Sequence, residues 1–175
     1  MRIRKLVVSI AALGLLVLAS VAVALYQGST GTEPLDREHA SIVFVCRNGV
    51  AMSVWSALTF NQLAAERGLV VRAAARAALP TFTDVPLRMR LALAIDGHRA
   101  GNYRPQVISA EDIGRAQRVI LIDTELPTSA SAAGTTIERW GGFPAMRDEY
   151  FASRAALKTR VEELVARLAA TDRSS

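Results

Sequence analysis

The chain has 175 residues, room for one domain of ordinary size and a targeting segment. Its formal charge is +5, but Arg2, Arg4 and Lys5 crowd the start, so 18 Lys+Arg face 16 Asp+Glu in the rest. That balance excludes the clustered basic face of a nucleic-acid binder. A single cysteine, Cys46, with no His/Cys cluster around it excludes an internal disulfide and a zinc site.

Leu6 to Tyr26 is 21 residues without a charge, close to the roughly 20 that span a bilayer core as a helix. The length favours a retained anchor, while Ala22-Val23-Ala24 offers a cleavage site after Ala24. Either way the basic flank stays cytoplasmic and the rest is exported, to the periplasm if the cell is bacterial. Residues 1–26 are thus read as signal anchor or signal peptide, 27–40 as linker, 41–170 as the domain and 171–175 as a tail.

Ser41-Ile42-Val43-Phe44-Val45 opens the domain as a strand buried on both faces. Ser53 to Arg67 predicts a helix closed by Gly68. Leu69 to Ala73 reads as a second strand, and Pro86 to Ile95 as a short helix ended by Gly97. Ser109 caps a further short helix with acids in its first turn. Arg118 to Asp123 is a clear strand, Ser129 to Gly134 a loop, and Thr135 to Arg139 a last short strand. Leu157, Val161, Leu164, Val165 and Leu168 mark one face of a C-terminal amphipathic helix. Strands alternating with helices predict a three-layer α/β/α domain around a four-stranded parallel sheet, preceded by the N-terminal apolar helix.

The loop between the first strand and first helix, Cys46-Arg47-Asn48-Gly49-Val50-Ala51-Met52-Ser53, lies where open parallel sheets bind ligands. A turn there aims backbone N–H groups at one point, and the helix N-terminus adds positive potential. Such a field favours a cysteine thiolate. Ser53 can hydrogen-bond the sulfur, and Gly49 frees the backbone to form a nest. Position and composition fit an oxyanion cradle.

Strand–Cys-x5-Arg-Ser–helix is the signature of the low-molecular-weight protein tyrosine phosphatases and the arsenate reductases sharing their fold, and this chain resembles them. The likeness runs on through Arg67-Gly68-Leu69-Val70, Ala92 to Gly97 with Tyr103-Arg104-Pro105-Gln106, Arg115 to Asp123, and Trp140-Gly141-Gly142-Phe143-Pro144. It covers Ser41 to Leu168 in matching order and implies the phosphotyrosine phosphatase I-like fold. It also implies a nucleophilic Cys46, an assisting Ser53, no cofactor and a phosphate-like oxyanion or phosphorylated substrate. Two parts of the pattern are missing. Met52 stands where the family has the arginine that grips phosphate bidentately. Around Pro144 no carboxylate stands where the family has its general acid. Losing the acid costs about 10²–10⁴-fold, and losing the charge clamp about 10²–10³-fold more.

Replacements are sought in Arg47, Arg76, Arg88 and Arg90 for the cation, with Arg76 best placed, and in Asp123 and Asp148 for the acid. Each is more commonly an ordinary surface residue. His39 and His98 read as surface or linker residues, and Trp55 and Trp140 as packing aromatics. The expected function is an oxyanion-binding, membrane-delivered phosphatase-like domain with weak or absent turnover. The alternative is an active cysteine phosphatase. An arsenate reductase would need an external thiol, since the chain has no second cysteine, and a redox-sensing Cys46 has only the lone thiol behind it.

Overall fold

The computed structural model describes residues 40–128 and 134–172. The apolar segment Leu6–Tyr26, the Ala24 site, His39, most of the expected linker and the last residues lie outside them. Four strands form one parallel sheet in the order β2-β1-β3-β4: β1 Ala40–Cys46, β2 Arg72–Ala77, β3 Arg118–Ile122 and β4 Thr136–Trp140. Four helices accompany them: α1 Met52–Glu66, α2 Leu87–Ile95, α3 Ala110–Arg115 and α4 Tyr150–Asp172. None of these is long and apolar enough to cross a membrane.

Alternate residues of each strand face opposite sides of the sheet. Ile42, Phe44, Ala73, Ala75, Ile120 and Ile122 pack under α1, α2 and α4 in the larger core. Val43, Val45, Val119 and Leu121 pack under α3 with Ile113 and Ala116 in the smaller one. Burial on both sides explains why β1 and β3 are continuous apolar runs. The stripe read on the C-terminal helix behaves as expected: Leu157, Val161, Leu164 and Val165 are fully buried.

The helix α1 ends as a Schellman turn. Gly68, with φ of +71°, donates to the Ala65 carbonyl, and Leu69 donates to the Ala64 carbonyl. That closure moves the expected second strand from Leu69–Ala73 to Arg72–Ala77. Leu69 is consumed in ending the helix, Val70 is left exposed, and pairing begins only at Arg72. The strand itself is Arg-Ala-Ala-Ala-Arg-Ala, a sequence whose small side chains carry little β preference. At α3 the expectation holds in detail. Ser109 accepts from the Asp112 N–H while the Asp112 carboxylate accepts from the Ser109 N–H, completing a capping box.

Candidate functional site

Cys46 is the last residue of β1, flanked in register by Ala77 of β2 and Ile122 of β3. Its Sγ lies 3.2 Å from the Ser53 Oγ, and both are buried. Parallel pairing on both sides leaves the sulfur at the carboxyl end of the central pair, facing the first turn of α1.

The loop between them is braced from β2. The Cys46 carbonyl accepts from the Ala78 N–H at 3.0 Å and the Arg47 carbonyl from the Leu79 N–H at 2.7 Å. The Asn48 Oδ1 accepts from the Thr81 hydroxyl at 3.0 Å. Gly49 has φ of +66°, and a Cβ there would meet the Ala77 Cβ at 2.8 Å and the Ala77 N at 3.0 Å. Only glycine fits both the left-handed backbone and the close approach. The α1 N-terminus has no side-chain cap and no acidic residue in its first turn, so its positive end is left for the loop to use. Met52, sixth after Cys46, packs half-buried against the larger core. Arg47 is exposed.

Beside the loop opens a crevice of about 350 Å³. Asn48, Val50 and Ala51 form one wall; Phe82, Pro86, Arg88, Met89 and Ala92 form the second; Met146, Arg147 and Tyr150 form the third. It is mainly apolar, with two arginines at its rim. Asp148 follows the third wall. It is hydrogen-bonded by Arg147 at 3.0 and 3.2 Å, and this bond holds its carboxyl below the usual range, with Arg88 adding to the effect. A carboxylate kept ionised in this way is poorly suited to donate a proton.

The other expected replacements are occupied elsewhere. Arg76 is 2% exposed and pairs with Asp112 at 2.8 Å, while a second guanidinium nitrogen donates to the Ala75 carbonyl at 2.8 Å. It is in register with Val45, whose side chain lies in the core under α3, on the sheet face opposite Phe44 and Cys46. Arg76 therefore braces α3 against β2 and does not supply the missing cation. Burial pushes the Asp112 carboxyl up, but the hydrogen bonds from Arg76 and the Ser109 backbone outweigh it and hold it below the usual range. Asp123 has φ of +45°, and its carboxylate accepts from the N–H groups of Gly142 at 2.9 Å and Phe143 at 3.2 Å. It pins the late loop at a separate hollow beyond β3 and β4. Arg90 lies on α2, its Nε donating to the Val85 carbonyl at 3.1 Å.

His98 corrects a sequence expectation. It is buried, 2.9 Å from the Thr59 hydroxyl and edge-on to Trp55, and burial pushes its pKa down. Trp55 and Trp140 are packing aromatics as expected, and Trp55 also donates to Asp96 at 2.7 Å. Sequence reading missed Asp96 itself. Its buried carboxylate gathers Trp55 from α1, the Tyr150 hydroxyl at 2.8 Å and Arg154 at 2.8 Å from α4. The crevice residues Phe82, Met146, Arg147 and Tyr150 were missed as well. Among the described residues no cluster of three His, Cys, Asp or Glu side chains could hold a metal.

The fold carrying this site is that of solved phosphatases and arsenate reductases. YfkJ from Bacillus subtilis superposes with a TM-score of 0.65 at 19% identity, covering 79% of this chain and 96% of that one. A low-molecular-weight protein tyrosine phosphatase from T. tengcongensis gives 0.62 at 15% identity, covering 73% and 99%. An arsenate reductase in the phosphate-binding state gives 0.60 at 16% identity, covering 73% and 98%. No protein-family model matches the chain, and no curated protein matches it.

Proposed function

We propose that the loop from Cys46 to Ser53 binds a phosphate-like oxyanion, on a domain delivered to the outer side of a membrane by Leu6–Tyr26, and that its phosphatase turnover is weak or absent. The observation that carries the reading is the Cys46 sulfur 3.2 Å from Ser53 Oγ at an uncapped helix N-terminus, with Met52 in place of a cation. The helix end and the nest around Gly49 supply donors for an anion. What they lack is the planar bidentate charge that grips a phosphoryl group through its transition state. The phosphate-binding state of the arsenate reductase with this fold supports the choice of ligand.

Each protein part has a role in this account. Backbone N–H groups of the loop hold the oxyanion, Ser53 hydrogen-bonds the sulfur, and the apolar crevice walls shelter the body of an ester. The alternative, a working cysteine phosphatase, has the Cys46–Ser53 contact in its favour. There the sulfur would attack phosphorus as the ester oxygen leaves, and water would release phosphate from the phosphocysteine. Hydrolysis of an aryl phosphate by the full chain, measured beside Cys46→Ser, separates the two. The proposal expects turnover within an order of magnitude of the Cys46→Ser background, together with saturable phosphate binding. Fast turnover abolished by the substitution would establish the alternative.

A further inference from the structure

Three large apolar side chains of α2 point into solvent: Leu87, Leu91 and Ile95 are 67%, 44% and 68% exposed. They recur every fourth residue, so at about 100° per residue they fall within about 80° of one another around the helix. Met89 and Leu93, on the other side, are buried. By the same geometry Arg88 and Arg90 sit on the two margins of the exposed stripe, and the helix contains no acidic residue. Tyr150 bonds the Ala92 carbonyl, which brings the start of α4 against α2, and the neighbouring Phe151 is also exposed. An ordinary surface helix turns its apolar stripe inward. A second apolar stripe facing out, with cationic margins, has the make-up of a helix lying in the interface of an anionic bilayer.

We propose that α2 docks this face of the domain on an anionic lipid surface. Leu87, Leu91 and Ile95 enter the boundary between headgroups and acyl chains, the exposed Arg88 meets the lipid phosphates, and the half-buried Arg90, its Nε held by the Val85 carbonyl, turns its remaining guanidinium nitrogens to them. The inference rests on the membrane-delivery reading above, since Leu6–Tyr26 would hold the domain within reach of a bilayer. A second copy of the chain fits the face less well. Self-pairing would bring arginines against arginines, and four apolar side chains, Phe151 included, fall short of the roughly 800 Å² per partner of a stable interface. Because Arg88 also lines the crevice, docking sets the crevice mouth beside the headgroup layer.

The test uses the full chain with Cys46→Ser and one new thiol, Leu91→Cys or Glu111→Cys, carrying an environment-sensitive fluorophore. Glu111 lies on α3, across the sheet. Vesicles are phosphatidylcholine alone or mixed with phosphatidylglycerol, each with a spin-labelled quencher lipid. The expected result is a blue shift at position 91 with quenching severalfold above position 111, on mixed vesicles only. Arg88→Glu with Arg90→Glu should abolish it. Flotation on both vesicle types with a solvent-exposed label at 91 overturns the docking and leaves membrane delivery standing. No flotation on either overturns both. Flotation and a protected label on mixed vesicles alone supports docking and removes the anchor reading. A label protected without lipid, increasingly with protein concentration, marks self-association and overturns the proposal.

Discussion

Replacing Asp112 with alanine would strand Arg76 in the interior, and the structure sets the size of the effect. The two side chains are 3% and 4% exposed and meet at 2.8 Å, so water cannot take over when one is removed. Breaking a buried pair from one side costs about 3–5 kcal/mol. Losing the Asp112 arm of the α3 capping box adds about 1 kcal/mol. In a domain of this size about 4–6 kcal/mol lowers Tm by roughly 12–25 °C. Arg76→Met removes the charge and leaves Asp112 its Ser109 bonds, so the expected loss is about 1–3 kcal/mol. Thermal and urea unfolding of the full chain in mild detergent measure both. The pair also has a pH signature. The Asp112 carboxyl is depressed in the folded state. Its contribution is therefore complete above the ordinary carboxylate value of about 4 and is lost as pH falls through the folded value. The gap between wild type and Asp112→Ala should close in that acid range. Phosphate affinity of Arg76→Met should equal wild type. A loss below about 1 kcal/mol in Asp112→Ala, or a folded Arg76→Met that no longer binds phosphate, would refute the assignment of Arg76 to the scaffold.

Gly49→Ala is expected to cost about 1–3 kcal/mol and to abolish phosphate binding, because the added Cβ would meet Ala77 at 2.8 Å in a left-handed backbone; calorimetric titration of folded protein checks it. Met52→Arg, which places an arginine where the phosphatases that the loop resembles carry theirs, should raise phosphate affinity by about tenfold or more while lowering Tm, since the half-buried methionine packs on the core. His98 is held neutral by burial, with Asp96 opposing and Arg154 assisting, so its folded pKa is lowered. Stability should accordingly fall as pH drops below about 6.5, through the folded value. That slope should flatten in His98→Gln, read from urea midpoints across pH. Asp96→Ala should cost about 1–3 kcal/mol by leaving the Trp55 N–H and the Tyr150 hydroxyl without their acceptor, while the partly exposed Arg154 turns to water, measured by urea unfolding.

The strands β1 and β3 were legible because burial on both faces demands uninterrupted apolar runs, and α4 because one buried face leaves a period of 3.6. The true extent of β2 was hidden by its alanines, whose suitability lies in their small size against the neighbouring strand and helices; the apolar Leu69-Val70-Val71 drew the expected strand three residues too early. The loop could be read because its parts are consecutive: a strand end, Cys46, Gly49 and Ser53. The crevice could not, since its three walls come from segments tens of residues apart. The same holds for the Asp96 cluster, whose partners Trp55 and Tyr150 are separated from it by 41 and 54 positions. Arg76 was misjudged on strand direction. Its nearness to the carboxyl end of β2 was visible, but not that residue 76 faces α3 while Cys46 faces α1.

The most direct test of an oxyanion site at Cys46 is a phosphate titration of the full chain in micelles, followed through the backbone amide resonances. The account expects the Gly49, Val50 and Ser53 amides to shift saturably, and the Asp123 and Gly141 amides at the separate hollow to stay still. Loop amides that do not move in a folded chain, or shifts confined to the Asp123 hollow, would contradict it.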